Sequence, residues 1–440
     1  MTLSRIIHSA GLLALALPSL ALAQDAGVEA AVAATPDPYF YVFNTVLFLL
    51  GGVLVMWMAA GFTMLEAGLV RSKNVSMQCL KNISLYSLGV LVYWLVGYNL
   101  MYTGVDGGWF GQFAPMVFPA PSADTGDYSL ATDFFYQSMF CATAASIVSG
   151  TVAERVRLWP FLLFVLILCG IIYPITGSWA WGGGWLSQVG FSDFAGSTLV
   201  HSVGGWAALT GALIIGARKG RFTADGRSVV MPGSSIPLAT LGAFILWFGW
   251  FGFNGASQLA LGTIEDAASV GRVVVNTNTA AAAGVIVSMI VMQVVYKKVD
   301  VTMALNGALG GLVAITAEPL TPTFLSAAII GGIGAALVVV AVPLLDKLKI
   351  DDVVGAIPVH LVAGIWGTLA VPFTNPEASV SAQLTGIVAV GAFTAIASAI
   401  VWLAIKAVFG LRPSEEEEAL GLDRSEVGVE AYPEFSAARL

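Results

Sequence analysis

Two histidines, His201 in LVHSVGG and His360 in IPVHLVAG, sit inside long apolar runs; the third, His8, lies near the start of the chain. A polar ring inside a bilayer is costly unless it is paired or lines a cavity. Each of the two therefore marks either a pathway or a structural ring bonded to backbone. A neutral imidazole offers one donor and one acceptor, and burial disfavours its charged form. Two such rings facing one another in an apolar pore would hydrogen-bond a small neutral amine or water, or pass a proton. They supply no carbonyl cage or carboxylate ring for a metal cation. Two histidines on separate helices would also ligate a b-type haem, a rival reading that a visible haem band would reveal.

The densest aromatic cluster is ILWFGWFGFNGAS, residues 245–257. Trp250 and Phe253 are three apart and Ser257 four beyond, so all three share one helix face. Tyr136 and Phe140 are again four apart, and Trp179 and Trp181 precede Gly182, Gly183 and Gly184. Aromatics near a membrane interface usually anchor it. Together with a serine hydroxyl they also make a cation–π site able to strip water from a small ammonium ion. Asp193 opens DFAGST just before the His201 run. It reads as an N-cap, a role compatible with supporting a nearby cation site. Asp106, Asp124, Asp127 and Asp133 are expected outside, where they would weakly enrich cations. Cys79, Cys141 and Cys169 form no C-x-x-C pair and read as small buried hydrophobes, so neither a metal nor a cofactor is expected.

These side chains need a membrane scaffold. The chain is 57% hydrophobic and only 10% charged, against roughly 25% charged for soluble domains. Apolar runs recur at about 42–66, 82–103, 132–152, 158–178, 196–217, 235–257, 273–295, 301–317, 323–345, 353–372 and 382–408. Each approaches the length needed to cross about 30 Å of hydrocarbon. Residues 1–23 carry Arg5, an apolar stretch and Ala21-Leu22-Ala23, the pattern of a cleaved signal peptide. Of the 16 Lys and Arg residues between 24 and 413, only Arg272 lies off the side reached after an odd-numbered run. The positive-inside rule then puts the N-terminus outside and the C-terminus inside. The expected fold is an all-α integral membrane protein of eleven transmembrane helices. Runs 1–5 and 6–10 would be two inverted five-helix repeats, with an eleventh helix following. His201 and His360 occupy equivalent runs, so they would meet near the midplane. The membrane domain spans 24–408 and a tail 409–440. That tail holds Glu415, Glu416, Glu417, Glu418 and other acids, so the net charge of −8 belongs to it, as a solvated linker or a docking segment. No basic cluster suggests nucleic acid.

EAGLVRSKN, AERVR, WAWGGG, DFAGSTLVH, GWFGFNG and IPVHLVAGIWG, long motifs in the right order, resemble the ammonium transporter (Amt/Mep/Rh) family, bacterial Amt type, and the resemblance runs from about residue 38 into the tail. It implies a non-enzymatic homotrimer in a bacterial inner membrane, one pore per subunit, conducting ammonium or ammonia and accepting methylammonium. By resemblance, Phe140, Trp181 and Ser257 recruit ammonium, with Tyr136 at the outer mouth. Phe140 and Phe253 form a gate, Trp250 lines the pore beside the twin histidines His201 and His360, and Asp193 supports the recruitment region. The tail would meet a PII signal protein, although Val427 stands where a histidine is common. Two departures fall near the pore: Gly355, where an aspartate is common five residues before the second histidine, and Pro358, where a glycine is common. A sensor of ammonium and a channel for another small gas, such as carbon dioxide, are the rival readings within the resemblance. Ser257 among the aromatics favours ammonium.

Overall fold

The structure, a computed structural model, describes residues 38–436; the proposed signal peptide lies outside them. The secondary structure of the described residues is helical, apart from one isolated bridge between Phe222 and Ser228. Helices α1 (Pro38–Leu69), α2 (Ser72–Tyr102), α3 (Leu130–Thr151), α4 (Leu158–Gln188), α5 (Ser197–Ile215) and α6 (Ile236–Gln258) follow one another. Then come α7 (Ile264–Tyr296), α8 (Val301–Ile315), α9 (Phe324–Lys347), α10 (Ile357–Phe373) and α11 (Val380–Phe409). Eight of these, all but α3, α8 and α10, are long and apolar enough to cross a bilayer. Helices span hydrocarbon because they satisfy every backbone group internally.

The helices start where the sequence provides caps. Thr263 and Asp266 form a reciprocal capping box at α7, and Ser235, Thr323 and Ser379 cap α6, α9 and α11. Two helices exceed the expected runs. Helix α7 begins nine residues before the run expected at 273, so Arg272 lies within it and donates to the Thr321 and Pro322 carbonyls. Helix α4 continues through the WAWGGG turn. Asp133 corrects an expectation. It is buried on α3 and accepts from Tyr98 at 2.5 Å and from Gln137, so it fastens α2 to α3 rather than facing cations outside.

The helix ends carrying most of the Lys and Arg residues converge on a buried ion network. The Glu154 carboxylate accepts from Arg71, Asn74 and Arg218. Asp351 accepts from Arg218 at 2.9 and 3.0 Å, and Arg155 donates to the Asp351 and Gly216 carbonyls. Burial pushes the Asp351 carboxyl up, but the bonds and charge of Arg218 and Arg155 outweigh it and hold the group well below the usual carboxylate range.

The acidic tail docks on this network. Helix α12 (Glu415–Leu420) is capped by Ser414, and Glu418 is buried against Arg412 at 2.5 Å. Asp423 accepts the amides of Ser76 and Met77 at the start of the α-helical part of α2, and Glu426 accepts that of Leu158 at the start of α4. A carboxylate at a helix N-terminus satisfies free amides and complements the dipole. The tail is a docked segment held by Glu418, Asp423 and Glu426, while Glu415, Glu416 and Glu417 remain solvated, Glu415 beside Lys219.

Candidate functional site

Helices α5 and α10 each begin with a wide π-type turn, Ser197–Ser202 and Ile357–Val362, and each turn carries one histidine. Such turns break the regular ladder and are frequent at functional sites. An aspartate precedes each histidine by eight residues, Asp193 buried and Asp352 half-buried. The Asp193 carboxylate accepts four backbone amides, those of Gly196, Ser197, Thr198 and Leu199, at 2.9–3.1 Å. Asp352 accepts the amide of Ile357 at 2.7 Å and the hydroxyl of Thr151.

The two segments, DFAGSTLVHSVGG and DVVGAIPVHLVAG, share one grammar: Asp, Gly three on, Val and His seven and eight on, and Gly four beyond the histidine. Gly196 and Gly355 have φ of +107° and +80°, a left-handed backbone that strains other residues. So Gly355 is the counterpart of Gly196, which explains why this position takes glycine here. The glycines four beyond each histidine let the helices cross. A Cβ on Gly205 would stand 2.8 Å from the Leu361 amide nitrogen, and one on Gly364 would stand 2.5 Å from the Ser197 carbonyl and 2.7 Å from the Ser202 hydroxyl. Small residues allow such backbone approach.

This crossing sets the histidines face to face. The His201 and His360 Nδ1 atoms lie 3.2 Å apart, with both rings buried. One Nδ1 must carry the hydrogen and the other must accept it. His201 stacks on Trp250 and Phe253 at centroid distances of 4.9 and 5.3 Å. Trp250 is fixed by its indole N–H, which donates to the Thr316 hydroxyl at 2.8 Å. Phe62 flanks His360 at 6.1 Å. Neither Thr316 nor Phe62 stands out in the sequence, because each looks like any helix-end or core residue.

Above the histidines, Phe140 and Phe253 stack at 4.0 Å and 29°. Trp181 meets Phe140 edge-on at 6.2 Å, and its indole N–H donates to the Asp193 carbonyl. Tyr136 packs on Phe140 at 4.7 Å; its hydroxyl lies 2.9 Å from the Phe253 carbonyl and 3.0 Å from the Ser257 Oγ. Ser257, Tyr136, Trp181, the two phenyl rings, Trp250 and the imidazoles thus form one column, while Trp179 packs elsewhere, on Trp109, Trp185 and Phe393. The column is aromatic and uncharged apart from Asp193, whose carboxylate is spent on backbone. It can hold a small cation over ring faces at one end and hydrogen-bond a small amine at the other. Among the described residues, no group of three His, Cys, Asp or Glu side chains is placed to hold a metal ion.

Comparison with known proteins gives a consistent picture. The model of the Ammonium Transporter Family matches residues 46–432. Ammonium transporter Amt2 of Archaeoglobus fulgidus is 39% identical over 424 residues, covering 88% of this chain and 87% of that protein. A putative ammonium transporter of Synechocystis is 41% identical over 402 residues, covering 89% and 90%. Among solved structures, one described as a sensor Amt protein aligns with a TM-score of 0.82 and 35% identity, over 88% of this chain and 98% of its own. Mep2 of Candida albicans aligns with a TM-score of 0.77 and 26% identity, over 87% and 88%.

Proposed function

The chain belongs to the ammonium transporter family, a family of multi-pass helical membrane proteins, and we propose that it carries ammonium across the membrane through the aromatic–histidine column. The observation that carries the mechanism is the buried His201–His360 contact directly beneath the stacked Phe140 and Phe253. Ammonium is drawn over the rings of Phe140 and Trp181 and hydrogen-bonds to Ser257, with Tyr136 closing the outer mouth. Entering the apolar column as an ion would cost several kcal/mol. Giving up its proton at the outer site avoids that cost. Ammonia then passes the phenyl gate and runs along the imidazoles, whose nitrogens replace lost water contacts. Potassium has no proton to lose and no hydrogen bond to donate, so it stays outside.

Eleven crossings with the N-terminus outside and the C-terminus cytoplasmic fit fifteen of the sixteen basic residues, all but Arg272, and the eleven helical rods. In this reading the inverted repeat is centred on the two Asp–Gly–His segments, and the ion network with its docked tail faces the cytoplasm of a bacterial inner membrane. The protein works as a homotrimer, and the tail surface offers a PII signal protein its platform.

The test is current on a solid-supported membrane after an ammonium pulse, with proteoliposomes of wild type and of a variant carrying His201→Ala and His360→Ala. A wild-type current or vesicle pH change that the double variant loses, or passes without selectivity against potassium, is expected. Wild-type protein that is inserted and assembled yet gives neither signal would overturn transport in favour of sensing.

A further inference from the structure

Beneath the histidines, on the side of the ion network, the structure has a small internal cavity walled by Phe62, Ser146, Asn306, Leu309, Gly355 and His360. One charged side chain joins that wall. Glu66, near the end of α1, is 1% exposed. Its two oxygens are treated unequally. Oε2 accepts three hydrogen bonds, from Gln78 at 2.5 Å, Asn82 at 2.9 Å and Ser149 at 2.7 Å. Oε1 has no partner in the protein. Gly150 is also part of the cavity wall, and a Cβ on it would stand 3.5 Å from Oε1, so that oxygen lies beside a residue of the wall. Lys81 is buried on α2 and donates to the Ser149 carbonyl at 2.8 Å, so its charge is linked to the carboxylate through one residue.

A buried carboxylate oxygen without a partner costs free energy, so a wholly structural glutamate would be bonded at both oxygens. Three donors to Oε2 orient the group and stabilise its anion, and Lys81 does the same from a distance. Oε1 is left as the atom on which a proton would sit, on a side chain that shares its cavity with His360. That division suits a group that gains and loses one proton without moving.

We propose that Glu66 is the inner proton-exchange residue of the pore, returning to ammonia the proton that ammonium gave up at the outer site. This rests on the transport reading above. The proton released outside passes along the histidines and crosses the cavity to Oε1. Ammonia arriving from His360 then takes it: the O–H bond breaks, an N–H bond forms, ammonium leaves to the cytoplasm and Glu66 remains as carboxylate. The next proton from the histidine side restores the acid. One nitrogen, four hydrogens and one positive charge cross per cycle.

The experiment uses the full chain in proteoliposomes, with current and interior pH recorded together for wild type, Glu66→Gln and Glu66→Asp. Glutamine keeps the shape and an acceptor for the three donors but holds no exchangeable acid. Its current should fall at least tenfold while ammonia still enters and turns the interior alkaline, because the proton is now taken from the vesicle lumen. Aspartate withdraws the oxygen by one methylene and should lower the current at least threefold with the same alkaline shift. If Glu66→Gln fails to assemble, Glu66→Asp decides. Unchanged current in the assembled variants overturns the assignment. So does a parallel loss of current and alkalinisation, the mark of a merely structural role, and so does a wild type that alkalinises vesicles without current. A wild type that does neither overturns transport itself.

Discussion

Four backbone amides converge on Asp193, and each would be buried and unpaired without it. Losing one buried hydrogen bond commonly costs about 1–3 kcal/mol. Asp193→Ala should therefore lower the thermal midpoint of the purified protein by several degrees and reduce transport, since the same turn carries His201. Asp193→Asn, which keeps one accepting oxygen, should lose roughly half as much in the same melt. Trp250 makes a sharper case. Trp250→Phe keeps a ring against His201 but drops the bond to Thr316, so it should cost about 1 kcal/mol in stability and leave flux within about threefold. Trp250→Ala uncovers the imidazole and should lower ammonium flux at least tenfold. The histidines and aromatic rings were legible because polar or aromatic groups at helical spacing stand out in an apolar run. Glu66 was not. It is the last residue of the first apolar run, five before Arg71, where a carboxylate reads as an ordinary charge at a helix end. Only packing reveals that one of its oxygens has no partner.

At the scale of elements, the crossing of α5 and α10 depends on glycines with no room for a side chain. Gly364→Val would drive Cβ into the Ser197 carbonyl and Ser202 hydroxyl, part the helices and separate the Nδ1 atoms. Flux measured on protein that still elutes as an assembled species should fall at least tenfold. The repeated Asp–Gly–His grammar was in the sequence yet hard to see, because its shared letters are sparse and the intervening residues differ. Backbone conformation supplies the alignment that letters alone do not. The ion network gives a pH prediction. Asp351 has a depressed pKa, so its contribution is present above the unfolded value near 3.9 and is lost as pH falls toward the folded value. The thermal midpoint should fall on acidifying below about pH 4, with little contribution from this group to any change between pH 5 and 8. Asp351→Asn should melt lower throughout and show a shallower acid slope.

For the whole molecule, the tail links the ends of α2, α4 and α5 through Asp423, Glu426 and Glu418. Asp423→Ala should speed amide hydrogen exchange at Ser76 and Met77 while leaving the middle of α2 protected, a difference that mass spectrometry of exchanged peptides reads directly. The basic residues predict which side of the membrane the tail faces. The docking of the tail was not legible, since Glu418, Asp423 and Glu426 look the same as the solvated acids around them. The paired Asp–Gly–His segments carry one last consequence. If the two segments are related by a two-fold rotation in the membrane plane, the centre offers the same face inward and outward. Any rectification must arise at the two mouths, where the halves stop matching: aromatic rings and Ser257 at one end, the Glu66 carboxylate at the other. On the proposed transport reading, the molecule is a symmetrical conduit with unlike valves, and exchanging the character of a valve, not of the conduit, is what would change the ratio of inward to outward rates.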